Sequence, residues 1–222
     1  LLYIFISTTT PLPFEHIRLS TSLGSSPTQE TIFNASQFSS QHGIDMDVTY
    51  NANQSYIISG FIDQAPISFG IEYCSMYDDG ANAPYTKVNM NMSSLMISID
   101  KDILPYAQGY MGLPSNHLKL RTGLSTGISW DANYSYIWQD NTPNTLGLSP
   151  QPLSAKLSNT PFPLSIQTKL AYTIESMEIG FEIRKFFVKN IVCKVNDAPF
   201  DDPFVKWSYE PLTYMAHIAY RV

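Results

Sequence analysis

Apolar residues recur at every second position through much of this chain, most regularly between residues 118 and 138. Even positions there read Leu118, Leu120, Thr122, Leu124, Thr126, Ile128 and Trp130, while odd positions read Lys119, Arg121, Gly123, Ser125, Gly127 and Ser129. Side chains on a strand point alternately to opposite faces, so this period predicts strand with one apolar face and one small or charged face. Parity is kept through Asp131, Ala132 and Asn133 to Tyr134, Tyr136 and Trp138. That pattern predicts two strands joined by a tight turn at 131–133. Leu164, Ile166, Thr168, Leu170, Tyr172 and Ile174 form the next apolar face, after which parity flips to Met177, Ile179, Phe181 and Ile183. A turn made of Glu175 and Ser176 requires that flip. Leu212, Tyr214, Ala216, Ile218, Tyr220 and Val222 repeat the theme in a last strand.

Earlier segments are shorter: Ile17 and Leu19; Ile44, Met46, Val48 and Tyr50; Ile67, Phe69, Ile71 and Tyr73; Val88, Met90 and Met92, with a less regular stretch at 56–62. Turn-rich pieces at 78–84, 100–116, 141–163 and 190–203 separate them, and 100–111 has room for one short helix. There is no internal repeat, charge run or linker, so residues 1–222 are expected to form a single all-β domain. The apolar stretch 1–6 reads as a first strand rather than the end of a signal segment, since no charged region precedes it.

Composition agrees with strands and turns. The chain has 14 Tyr, 12 Phe and 3 Trp, only 14% charged residues and a formal net charge of -6. Its basic residues are scattered, which leaves nucleic-acid binding without electrostatic support. No run of about 18 apolar residues is present, so no transmembrane helix is expected, although a barrel could still cross a membrane with strands. Cys74 and Cys193, the only cysteines, are compatible with one disulfide or with two free thiols.

Two architectures produce one apolar and one polar face per strand: a sandwich or jelly roll with the apolar face inside, and a membrane barrel with that face outside. Three features favour an antiparallel up-and-down barrel of about twelve strands. The connections alternate short and long, with turns at 131–133 and 175–176 and loops at 141–163 and 190–203. Aromatic residues gather at expected strand ends, with Trp130, Tyr134, Tyr172 and Tyr220 assigned to one rim and Phe187, Trp207 and Tyr209 to the other. The polar face carries Gly123, Gly127 and Gly180 beside Lys119, Arg121, Lys169, Glu178, Glu182, Arg184 and Arg221, a mixture suited to a narrow interior where charges meet across strands. On these residues, segment 118–222 resembles the bacterial outer-membrane β-barrel class, including its alternating hydrophobic C-terminal strand. It departs from that class in ending on Val222, where an aromatic residue is usual.

The resemblance implies an outer-membrane location, contact with membrane lipid, and a role as a channel or passive transporter of small solutes. In that reading Lys119, Arg121, Ser125, Lys169, Glu178, Glu182 and Arg184 line the pore, unless they neutralise one another and plug it. The sandwich alternative implies a structural subunit of a viral capsid or extracellular assembly, and either form could associate into a homo-oligomer or larger assembly. A third reading, an outer-membrane lipid hydrolase, rests on Gly123-Leu124-Ser125-Thr126-Gly127, which matches the G-x-S-x-G serine motif. That motif needs a strand-to-helix turn, no helix is expected here, and His16, His42, His117 and His217 show no pairing with the serine. Asp45 with Asp47, Asp78 with Asp79 and Asp201 with Asp202 lack the spacing of a calcium loop and read as turn and surface residues. Neither metal nor cofactor is expected, nor is enzymatic activity. Asn34, Asn53, Asn91 and Asn133 head sequons that matter only in a eukaryotic secretory pathway.

Overall fold

The computed structural model describes residues 17–26, 29–33, 46–64, 67–82, 86–105, 117–138, 153–195 and 204–222. Within these, residues 29–33, 46–53, 78–82, 86–90, 132–138, 153–155, 193–195 and 204–209 are described by their backbone alone. The strands are β1 (Ile17–Ser26), β2 (Gln29–Phe33), β3 (Met46–Gln64), β4 (Ile67–Asn82), β5 (Thr86–Asp102), β6 (Leu118–Trp138), β7 (Leu153–Leu157), β8 (Leu164–Ile174), β9 (Met177–Val195), β10 (Phe204–Tyr209) and β11 (Leu212–Arg221). All pairings are antiparallel, and β1, β3, β4, β5, β6, β8, β9 and β11 pair in turn until β11 returns to β1. The sheet is therefore a closed barrel of eight strands.

The expected count of about twelve strands is corrected by two findings, while the expected first strand at 1–6 lies outside the described residues. First, the segments read apart at 44–50 and 56–62 join, from Met46 onward, in the single strand β3, and the short β2, β7 and β10 are not extra staves. Each pairs with the upper part of a ring strand, β2 with β3, β7 with β6 and β9, and β10 with β9, and so continues the stave of β1, β8 and β11 respectively. Second, residues 131–133 do not turn. β6 runs unbroken from Leu118 to Trp138, and the register against β5 skips Trp130, since Ser94 faces Ser129 while Ser93 faces Asp131. A β-bulge occupies the place assigned to a hairpin. The turn at 175–176 is present, with Ile174 opposite Met177 and Glu175 at φ 53°.

Register defines the barrel's shape. From Lys119, successive ladder partners are Ala171, Gly180, His217, Ser22, Ile57, Cys74, Ser94 and finally Ser129, so one circuit climbs ten residues along β6. Eight strands with that stagger tilt by about 40° and enclose a space only wide enough for side chains. Inward glycines permit the tight coiling. A Cβ at Gly127 would overlap the Leu95 carbonyl oxygen on β5.

The lower end holds Ile17, the 175–176 turn and Val222, whose amide donates to the Ile17 carbonyl at 2.9 Å. At that end a helical turn begins at Leu104, whose amide donates to Asp102 Oδ1 at 3.1 Å; the remainder of the expected helix lies outside the described residues. At the upper end β6, 21 residues long, rises about 50 Å at this tilt, well beyond a hydrocarbon core of about 30 Å.

Candidate functional site

Burial is inverted relative to a soluble sandwich. Along β8 the pattern alternates without a break, with Leu164, Ile166, Leu170, Tyr172 and Ile174 exposed and Ser165, Gln167, Lys169 and Ala171 buried. The same face is exposed around the ring, at Leu19 and Leu23, Ile58 and Ile62, Phe69 and Ile71, Ile97 and Ile99, Leu124 and Ile128, Ile179 and Phe181, and Ile218 and Tyr220. This apolar belt spans roughly 25 Å along the barrel axis, the height of a membrane barrel's outer band. The sandwich and jelly-roll alternative is thereby overturned, since the face it would bury points outward.

Aromatic residues border the belt, but not as expected. Tyr172 and Tyr220 stand at the lower edge, whereas Trp130 lies higher, within 5.9 Å of Tyr73, which in turn lies 5.9 Å from Tyr56. Trp130 therefore belongs to the rim opposite Tyr172, because the strand assigned to fold back at 131 continues upward. The side chains of Tyr134, Trp207 and Tyr209 lie outside the described residues, as do those of Asp45, Asp47, Asp78, Asp79, Asp201, Asp202, Cys193, His16 and His42. Cys74 is a buried free thiol facing inward.

The polar faces of the ring strands converge on the interior. At its lower level Arg18 binds Asp63 at 3.1 Å and Asp100 at 3.0 Å, Arg121 binds Glu178 through two hydrogen bonds of 2.5 and 3.0 Å, and Arg221 reaches Glu178 at 2.8 Å. One level up, Arg184 holds Glu72 with bonds of 2.8 and 3.0 Å and Glu182 at 2.6 Å, and it also donates to Gln167. Lys169 lies 3.7 Å from Glu182 and 4.0 Å from Glu72. Phe61 joins the two levels, its ring 4.3 Å from the Arg18 guanidinium carbon and 5.2 Å from the Lys169 ammonium, in the space left by Gly70. Above the charges, inward positions become apolar at Ile57, Cys74, Met76, Met92, Phe186 and Val188.

Six of the seven residues assigned to a pore, Arg121, Ser125, Lys169, Glu178, Glu182 and Arg184, are brought together inside the barrel. Lys119 lies at the lower rim, 3.5 Å from Asp102. The reading missed Arg18, Asp63, Glu72, Asp100 and His217. The parity that marked Ile67, Phe69, Ile71 and Tyr73 as one face already sets Glu72 on the other, and the same rule applied to Leu19 would have found Arg18.

The serine motif does not adopt the geometry of a hydrolase nucleophile. Ser125 stays within β6 and donates to Glu72 at 2.7 Å, so the sharp turn its motif requires is missing. His217 instead meets Ser22, Nδ1 to Oγ 2.9 Å, and Ser22 donates to Glu182 at 2.6 Å. With its one proton given to the carboxylate, the Ser22 hydroxyl accepts from the imidazole and is not activated by it. Among the described residues no group of His, Cys, Asp and Glu is arranged to hold a metal ion.

A closed eight-stranded antiparallel ring, apolar outside and ion-paired within, defines a membrane-type β-barrel. No family model matches the chain, and no curated protein matches it. The solved structures it is similar to are bacterial outer-membrane proteins. They include a major outer membrane protein of Thermus thermophilus (9% identity, 93% of this chain and 99% of that one, TM-score 0.49). Ail, the attachment invasion locus protein of Yersinia pestis, shares 11% identity over 92% of this chain and 98% of its own, TM-score 0.45. OprG of Pseudomonas aeruginosa shares 11% identity over 93% and 94%, TM-score 0.44.

Proposed function

We propose that this chain is an integral barrel of a bacterial outer membrane, closed to solutes by its own ion pairs, that works as a binding or attachment protein through the strands raised above its upper edge. The observation that carries the reading is the inverted burial. Charged side chains as large as Arg18, Lys169 and Arg184 are fully buried inside, while the outer belt of leucine, isoleucine and phenylalanine is open to its surroundings. Lipid is the partner that such a belt requires. In an eight-stranded ring with a stagger of ten, the interior charges support a plug rather than a path. Passage of small solutes would require Arg184 to leave Glu72 and Glu182 within a space that offers it few other carboxylates.

Two measurements test this. Extraction should need detergent, and the folded protein should show heat-modifiable gel mobility; release as a soluble particle would overturn the membrane assignment. In planar bilayers the folded protein should be silent. A steady conductance altered by neutralising Lys119 and Arg121 would instead establish the channel.

A further inference from the structure

The chain has 8 Met and 2 Cys, and four of these sulfur residues share the inner faces of two adjacent strands. Cys74 and Met76 lie on β4, Met92 and Met96 on β5, and all four are buried. Their register fixes the arrangement: Met76 is opposite Met92, Cys74 is opposite Ser94, and Glu72 is opposite Met96. Directly opposed side chains start about 5 Å apart and diagonal neighbours about 7–8 Å apart, a gap that long side chains bridge. Cys74 therefore has Met92 and Met96 as its diagonal neighbours across the ladder, and Met76 about 7 Å away along its own strand. Ser94, directly opposite the thiol, is small and bonded to Ser129 at 2.7 Å, which leaves room for the longer thioethers beside it. Methionine, unbranched and freely rotating, can swing its sulfur toward a common centre.

Cys74 is a free thiol that the ion pairs and serine contacts described above do not use. Thiolate and thioether donors together favour copper(I), and they suit the oxygen-seeking calcium and magnesium ions poorly. Charge separates copper(I) from zinc. Just below the cluster, Arg184 and Lys169 are already matched by Glu72 and Glu182. On coordination the Cys74 S–H bond breaks, the Cu–S bond forms and the proton leaves to solvent, with no electron exchanged. A monovalent ion thus enters without changing the net charge of the interior, whereas a divalent ion would leave one positive charge beside two existing cations. Cys74, Met76 and Met92 also lie above Glu72, so an ion arriving from the upper end need not part Arg184 from its carboxylates.

We propose that Cys74, Met76 and Met92 form a copper(I) site in the upper interior of the barrel, built from one thiolate and two thioethers. The test folds the full chain carrying Cys193→Ser, in which Cys74 is the only thiol, in detergent, with heat-modifiable gel mobility as the check on folding. This parent is titrated anaerobically against copper(I) held by bicinchoninate, whose colour falls as metal is lost. One copper should transfer per chain. Cys74→Ser should abolish the transfer. Met76→Leu and Met92→Leu should each weaken it by about tenfold or more, the least that loss of even a supporting group around a metal costs. Met215→Leu, buried on β11 across the ring, should bind as the parent does. X-ray absorption of the copper-loaded parent, which needs no further variant, should show sulfur alone around the metal. A folded parent that leaves copper with bicinchoninate, a folded Cys74→Ser or Met92→Leu variant that binds at full strength, or nitrogen or oxygen bound to the copper overturns the proposal alone. A parent without the folded gel form overturns the barrel reading and this site with it.

Discussion

Replacing Leu124 with arginine places a charge where the barrel wall should meet the middle of a membrane. Leu124 is 50% exposed and flanked in the ladder by the outward Ile99 and Ile166. It lies six residues above Leu118, at the foot of β6. At a rise of about 3.3 Å per residue and a tilt of about 40°, that is about 15 Å up a belt of roughly 25 Å. An arginine near the midplane of a lipid-facing strand costs about 2–4 kcal/mol, falling to about 0–1 kcal/mol near the interface. Tyr172→Arg supplies the comparison, because Tyr172 is also outward and half exposed but pairs with Leu118 at the belt's lower edge. Equilibrium denaturant unfolding of both variants in phospholipid vesicles should separate them by about 2 kcal/mol or more. Equal costs at the two depths would refute the claim that the outward face is graded by a hydrocarbon slab.

Three further outcomes follow from the interior and the turn. Glu72→Gln should destabilise the barrel by about 3–5 kcal/mol, because it leaves Arg184 buried with only Glu182 as counter-charge; a loss below about 1 kcal/mol in the same unfolding assay would mean that water screens the interior. Gly127→Ala should cost about 1–3 kcal/mol through crowding against the β5 backbone, read from the same denaturation midpoints, whereas a neutral result would show that β5 and β6 can part without loss. Glu175→Gly should stabilise by up to about 1 kcal/mol, since a non-glycine residue at φ 53° is strained; an unchanged or lower midpoint would refute strain at that turn.

Alternation identified the faces of the strands but could not say which face was inside, because lipid outside and a second sheet inside impose the same period of two. Nor could parity tell a turn from its absence at 131–133. A turn with an odd number of residues preserves parity, and the bulge by which β6 continues past Trp130 leaves no mark in the sequence, which is how β6 was divided and Trp130 given to the wrong rim. The excess of strands has a related origin, since the polar run Asn51-Ala52-Asn53-Gln54-Ser55 parts two apolar stretches in the sequence while the backbone of β3 continues through it. Glu175 and Ser176 were legible because an even-length turn reverses parity, leaving a trace that no continuous strand can imitate.

The choice between a lumen that conducts and one that is plugged depends on ring size, a quantity set by register. With about twelve strands, Lys119 and Arg121 could stand apart across water. With eight strands and a stagger of ten, a guanidinium on one wall reaches a carboxylate on another, and small inward residues such as Ala171, Gly180, Ala219, Ser20 and Ser59 leave room for long chains to cross. Arg184 on β9 accordingly meets Glu72 on β4, half the ring away. The twelve charged residues of the interior and its lower rim, Arg18, Asp63, Glu72, Asp100, Asp102, Lys119, Arg121, Lys169, Glu178, Glu182, Arg184 and Arg221, balance six against six. The formal charge of -6 therefore resides wholly on the remainder of the chain. Under the plugged-barrel reading proposed above, changes to Glu72 or Arg184 should alter chiefly whether the protein folds, while changes to the strands above the belt should alter what it binds.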